Sequence, residues 1–369
     1  MRRAFTSRLV RFGASLTVAE RRRAAIMGLA VLALHAIGFA ILLLLVVPHH
    51  YSLVAGGVFG LGLGITAYTL GLRHAFDADH IAAIDNITRR LTSDGRRPLS
   101  VGFFFSLGHA SVVMALGLLV GLGVKGLGGS LADPGSPLYS FGSLVGPLVS
   151  GTFLLAIGVV NAIAWVRILR ALRRMRSGTC DESELDRELD SRGLITRLCR
   201  GATAAVDEPW KAYPLGMFFG LGFDTATEIV LLVVAGGATA AGVPLYAVAC
   251  LPILFAAGMT LLDTLDGLFM SFAYDWTFGK PARKVFYNLA VTGLTVAVAI
   301  GIGAIQLASV LSDRVSTGGG IWDALAGIDL NLAGYAIVGL FAVTWIVALA
   351  VWRFGRIEER WSTQASTGR

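Results

Sequence analysis

Arg73-His74-Ala75-Phe76-Asp77-Ala78-Asp79-His80-Ile81 closes a strongly apolar segment, and within it four side chains able to bind a metal fall in seven positions, 74 to 80. A charged or imidazole side chain at bilayer depth costs roughly 2.5 to 3.5 kcal/mol on insertion scales, so a cluster of them marks a functional site. Whether that depth applies here depends on the rest of the chain.

The 369 residues are 55% hydrophobic and only 15% charged, with mean hydropathy +0.71, which takes the chain out of the range of soluble domains. The expected fold is all-α, a polytopic integral membrane protein. Its 46 glycines suit helices that pack backbone to backbone. A net charge of +7 raises the question of nucleic acid. The basic residues, however, sit in short blocks between apolar runs, and no soluble domain remains to carry such binding. Cys180, Cys199 and Cys250 lack Cys-x-x-Cys spacing, which argues against structural zinc and disulfides. The first apolar run has no small-residue cleavage site before Pro48-His49-His50 and is expected to be retained as a helix.

Apolar runs long enough to cross roughly 30 Å of hydrocarbon fall at about 24–47, 57–84, 99–123, 144–168, 212–235, 243–268, 284–309 and 332–353, which predicts eight transmembrane helices. Basic blocks occupy the lead (Arg21 to Arg23), alternate connections (Arg89 to Arg97, Arg167 to Arg176, Lys280 to Lys284) and the tail (Arg353 to Arg360). The other connections hold only Lys125 and Arg314 between them. The positive-inside rule then puts both termini in the cytoplasm. The expected organisation is a basic lead (1–23), helices one to four (24–168), a cytoplasmic loop (169–211), helices five to eight (212–353) and a tail (354–369). The loop turns from basic to acidic and reads as a solvated face with a short surface helix at Leu185 and Leu189.

Three further runs carry polar groups that are costly in lipid: Ser106, His109 and Ser111; Asp224, Thr225, Thr227 and Glu228; Asp263, Thr264 and Asp266. On helices, Asp224 with Glu228, Asp263 with Asp266, and Ser106 with His109 each share a face. By helical rise His109 lies about 15 Å inside the membrane from the cytoplasmic face. The predicted topology sets all four polar stripes between the midplane and that face, which favours one shared site. Phe76-Asp77-Ala78 and Phe223-Asp224-Thr225 echo each other on helices of opposite direction, as in an inverted repeat.

At 100° per residue His74, Asp77 and His80 lie at about 0°, −60° and −120°, while Asp79 points to about +140°. A straight helix cannot aim all four at one ion. Either the helix breaks here, or a carboxylate acts on a ligating imidazole from behind, fixing its tautomer. Imidazole plus carboxylate without thiolate suits nickel, cobalt, zinc, copper(II) or iron(II) rather than magnesium or calcium. Arg73 is placed to neutralise a nearby aspartate. His35 reads as an interhelical hydrogen-bonder, and His49 and His50 as interfacial residues at the outer surface. Asp85, Asn86 and Asp94 sit at or beyond the inner boundary, where solvation or capping accounts for them.

At these motifs the sequence resembles the nickel/cobalt transporter family. The family's His, four residues, Asp-His signature stands here as His74, Asp79 and His80. The other signatures stand as Phe104 to Val113, Leu221 to Ile229 and Gly258 to Gly267. The resemblance implies a multi-pass permease of a prokaryotic inner membrane that takes up nickel, cobalt or both with high affinity and low capacity. The ion is then substrate, with no prosthetic cofactor, no nucleic-acid partner and no enzymatic activity. Candidate metal residues are His74, Asp77, Asp79, His80, His109, Asp224, Glu228, Asp263 and Asp266. An exporter and a membrane-embedded metalloenzyme are the alternatives. No His-Glu-x-x-His occurs, and the loop from Leu169 to Lys211 contains no histidine. Oligomeric state, ion preference and energy coupling leave no mark in the sequence.

Overall fold

A computed structural model describes residues 13–53, 57–122, 133, 135–176, 206–221, 226–278, 281–314, 339, 340 and 343. Most of the eighth apolar run, most of the 169–211 loop, the tail and Asp224 lie outside them. The helices are α1 (Val18–Ala40), α2 (Leu61–His74), α3 (Ala78–Ser93), α4 (Val101–Gly121), α5 (Pro137–Arg176), α6 (Ala212–Gly220), α7 (Ala226–Ala240), α8 (Leu245–Phe278) and α9 (Pro281–Arg314). A two-residue antiparallel pairing, β1 (Tyr51–Ser52) with β2 (Val58–Phe59), joins α1 to α2.

Local chemistry sets the helix ends. Thr17 and Glu20 form a capping box at the start of α1, satisfying amide groups that the first turn leaves open. That helix runs on through a π-helical turn, Ile41–Val46, and stops where Pro48 is followed by His50 in the left-handed region, φ 47°. Five helices among the described residues are long and apolar enough to span a membrane: Val18–His49, Val101–Gly121, Ser143–Ile163, Leu245–Tyr274 and Thr292–Leu311. They correspond to the first, third, fourth, sixth and seventh apolar runs.

The second run departs from the expectation of one helix over 57–84. Residues 57–60 belong to the β pairing and its turn, α2 ends at His74, and α3 starts afresh at Ala78 with Asp77 in extended conformation as its N-cap. Asp is among the residues that favour this position. Amide groups of Phe76 and Asp77 bond back to Arg73 and His74, while that of Ile81 opens the new helix on Asp77. The fifth run likewise holds two helices, α6 and α7, rather than one described helix over 212–235.

Contacts fix the relative directions. Gly71, His80 and Asp85 meet Phe255, Asp263 and Tyr274 in rising order, so α2 and α3 run parallel to α8. Gly102 meets Asp263 while Gly121 meets Leu245, so α4 runs against it. Gly151, Gly158 and Gly293 place α5 antiparallel to α9. This alternation agrees with the order of the apolar runs. α2, α4, α6 and α8 form one packed body with α1 outside it; α5 and α9 form a second pair, and α3 lies between the two.

Close helix approach rests on missing side chains. A Cβ at Gly102 would overlap the Asp263 carbonyl, and one at Gly71 the Phe255 carbonyl. Neither obstacle is a flexible side chain. Gly102→Val is expected to cost about 2 kcal/mol or more by overpacking, whereas Gly28→Ala, with nothing within 4 Å of its Cβ position, is expected to be neutral. Thermal unfolding of the detergent-purified variants checks the contrast.

Candidate metal centre

The break between α2 and α3 presents His74 on the last turn of one helix and His80 on the first turn of the next. His109 comes from the middle of α4, Glu228 from the first turn of α7 and Asp263 from α8. All five are buried, Glu228, Asp263, His74 and His80 to 1% exposure and His109 to 2%. One nitrogen from each of His74, His80 and His109 lies within 4.8 Å of those of the other two. Their rings stand 4.7 to 4.8 Å apart between centroids. Phe105 stacks edge-on against His80 at 4.9 Å and Phe255 lies 5.4 Å from His74, so the imidazoles sit between aromatic walls.

Carboxylates stand behind and beside these rings. His80 Nδ1 lies 3.2 Å from Asp263 Oδ2. With the proton on Nδ1 it donates to that oxygen and leaves a lone pair on Nε2, which has no protein partner. His74 Nδ1 is in ion-pair contact with Asp77 Oδ2 at 2.9 Å, and its Nε2 lies 3.1 Å from His109 Nε2. Glu228 Oε1 closes the group, in hydrogen bond to His109 Nε2 and 3.7 Å from His74 Nε2. A carboxylate holding the far nitrogen of an imidazole fixes its tautomer and raises its basicity. Among the described residues no lysine or arginine ion-pairs with Asp77, Glu228 or Asp263.

The His74–His109 spacing suits shared ligation, while the three nitrogens as a set span up to 4.8 Å. Nitrogens about 2.0 to 2.1 Å from one cation, at angles between octahedral and tetrahedral, stand about 2.9 to 3.4 Å apart. The His74 to His109 separation falls in that interval. Three imidazoles with acids nearby and no thiolate constitute a first-row divalent metal donor set.

Of the sequence candidates, His74, Asp77, His80, His109, Glu228 and Asp263 converge. Asp79 turns elsewhere: one oxygen accepts from the His80 amide at 2.9 Å, and the other from Gln306 Nε2 of α9 at 3.2 Å. Ser150 of α5 bonds Gln306 in turn. Asp266 lies one turn along α8, with an oxygen buried and unpartnered. Asp224 is outside the described residues. Ser106 is buried but bonds its own helix at Phe103, and Ser111 bonds Leu107 and Tyr213; neither serves the cluster.

Two readings require correction. Arg73 is exposed and neutralises none of these acids, because it sits on the opposite side of the α2 terminus from His74. Asp85 and Asn86 are fully buried rather than solvated at the boundary, since α5, α8 and α9 cover the face of α3 that carries them. Asp94 is exposed, and His49 and His50 are exposed at the end of α1. His35 bonds Val31 O within α1 and Tyr68 of α2, an interhelical contact. Gln306, Ser150 and Asn161 were missed, although each is a polar residue inside an apolar run, the same signal that exposed His109.

Over residues 60–351 the chain matches the family described as high-affinity nickel-transport protein. It is 52% identical to the nickel transporter NicT of Mycobacterium tuberculosis, over 96% of this chain and 95% of that protein. Identity to the hydrogenase nickel incorporation protein HupN of Bradyrhizobium diazoefficiens is 42%, over 82% of this chain and 79% of that protein. To the cobalt transport protein NhlF of Rhodococcus rhodochrous it is 39%, over 91% and 94%. No solved structure matches.

Asp263→Asn keeps the shape of the His80 contact and removes its charge. It is expected to weaken Co2+ binding 10- to 100-fold, the usual effect of losing a carboxylate behind a ligating imidazole, while Ser106→Ala leaves binding unchanged. Co2+ titration of the purified variants followed by visible absorption checks both.

Proposed function

Because this chain belongs to the high-affinity nickel-transport protein family, we propose that it is a permease that takes up divalent nickel, cobalt or both across a prokaryotic inner membrane, with His74, His80 and His109 as the ligands of the ion in transit. The family consists of transporters, not enzymes, and the chain is an integral membrane protein. The observation that carries the residue assignment is the convergence of three buried imidazoles from two broken helix ends and a third helix. Both metals stand in the reading because its relatives include a nickel and a cobalt transporter by name.

In this reading the ion exchanges its water for imidazole nitrogens one at a time, so no step leaves it unsolvated in a low-dielectric interior. Asp77 and Asp263 hold His74 and His80 with their lone pairs inward, and Glu228 supplies the nearest negative charge. Asp79 ties the start of α3 to α9, so the His80 ligand and the α5–α9 pair move together. Asp266 flanks the route on α8. Eight spans with both termini cytoplasmic complete the proposed topology; the alternation of described helix directions and the basic connections support it.

Uptake is favoured over export. The loop after α5 has none of the histidines that exporters carry there, and a relative's name links it to nickel incorporation, which needs supply. His74→Ala and His80→Ala are each expected to lower accumulation of radiolabelled nickel and cobalt at least tenfold in expressing cells, with protein in the membrane unchanged. Near-normal accumulation by both variants contradicts the assignment, and lowered metal in cells expressing the native chain contradicts the direction.

A further inference from the structure

A second group of buried polar side chains lies farther along α3 and α8, outside the imidazole cluster. Asp85 is 0% exposed. One of its oxygens accepts a hydrogen bond from the Tyr274 hydroxyl of α8, and the other, Oδ2, has no partner among the described residues. Asp266 lies within Coulombic reach of Asp85 and Tyr274, and its Oδ2 is also buried without a partner. Two carboxylates with open oxygens in the interior have to meet a proton, the nearby guanidinium or a visiting cation.

Position supports the same reading. By helical rise Asp85 is about 7.5 Å beyond His80 on α3, and Asp266 about 4.5 Å beyond Asp263 on α8. These helices run parallel, so both acids are displaced from the imidazoles in the same direction, toward the basic connection at Arg89 to Arg97. Past Asp85 comes Arg89, 2% exposed. Its Nη2 donates to Asn161 of α5 at 3.0 Å, and Asn161 donates to Asn86 at 2.9 Å. Arg89 Nε and Nη1 have no partner, and Asp85 is within their Coulombic reach.

We propose that the unpartnered carboxylate oxygens of Asp85 and Asp266 form a second divalent-cation site, through which the ion passes after leaving the imidazoles. It rests on the transport reading above. Oxygen donors hold nickel and cobalt less tightly than imidazole does, and the guanidinium of Arg89 beyond them repels a bound cation. The site therefore accepts the ion and lets it go, as conduction through successive sites requires.

Equilibrium dialysis of the purified full chain in lipid nanodiscs with Co2+ alone tests this. The native chain is expected to bind two ions, the second at least tenfold more weakly. His74→Ala/His80→Ala/His109→Ala should retain only the weak ion, and Asp85→Asn/Asp266→Asn only the tight one, with uptake into proteoliposomes down at least tenfold. One ion per native chain, or a weak ion that survives Asp85→Asn/Asp266→Asn, overturns the second site and leaves the imidazole site standing. A tight ion that survives loss of the three histidines overturns the imidazole assignment instead. If Asp85→Asn/Asp266→Asn does not fold, the histidine variant decides: one weakly bound ion supports the proposal and none refutes it.

Discussion

An imidazole or carboxylate taken out of water has to meet a proton, an opposite charge or a cation, and this bundle gathers six such groups at one point. His74, His80, His109, Asp77, Glu228 and Asp263 come from five helices and are all buried. No single helix could hold them, because successive side chains fan out by about 100°. Bringing them together needs helices that end in the middle of the protein. The α2–α3 break does this by placing His74 and His80 on facing helix ends, three residues of connection apart. Close packing then closes the site, through Gly102 on Asp263 and Gly71 on Phe255, two contacts that leave no room for a side chain.

The same demand explains why α3 is the central element. One face carries His80, Ile84 and Ile87 toward α4 and α6. Another carries Asp79, Ala82, Asp85 and Arg89 toward α5, α8 and α9. The α5–α9 pair meets the rest of the protein through an apolar cluster, Leu154, Val298 and Ile302 with Ile81, Met270 and Tyr274, and through polar contacts: Ser150 to Gln306 to Asp79 at one level, Asn161 to Asn86 and Arg89 at another.

Much of this was legible in the sequence. Hydropathy located the five long helices, because a stretch that must cover its backbone in lipid has to be apolar throughout. The misfit of Asp79 with His74, Asp77 and His80 foretold that the second run could not be one straight ligand stripe. The structure resolves that misfit both ways, with a break at Ala75 to Asp77 and with Asp79 bonded to a different helix. Depth estimates failed for Asp85 and Asn86. They assumed that an apolar run ends where the membrane ends, whereas α3 continues to Ser93 under cover of three other helices. Gln306, Ser150 and Asn161 carry no formal charge and stand in apolar runs without an ionisable metal-binding residue beside them, so a reading organised around such residues passes over them.

The central claim is that three imidazoles from three helices share one cation. X-ray absorption at the nickel edge, on the purified chain loaded with one Ni2+, reads the donors directly. Three imidazoles per nickel at about 2.0 to 2.1 Å, falling to two in His109→Ala, is the result this account predicts. A shell of oxygen atoms without imidazole, or a spectrum that His109→Ala leaves unchanged, would contradict it.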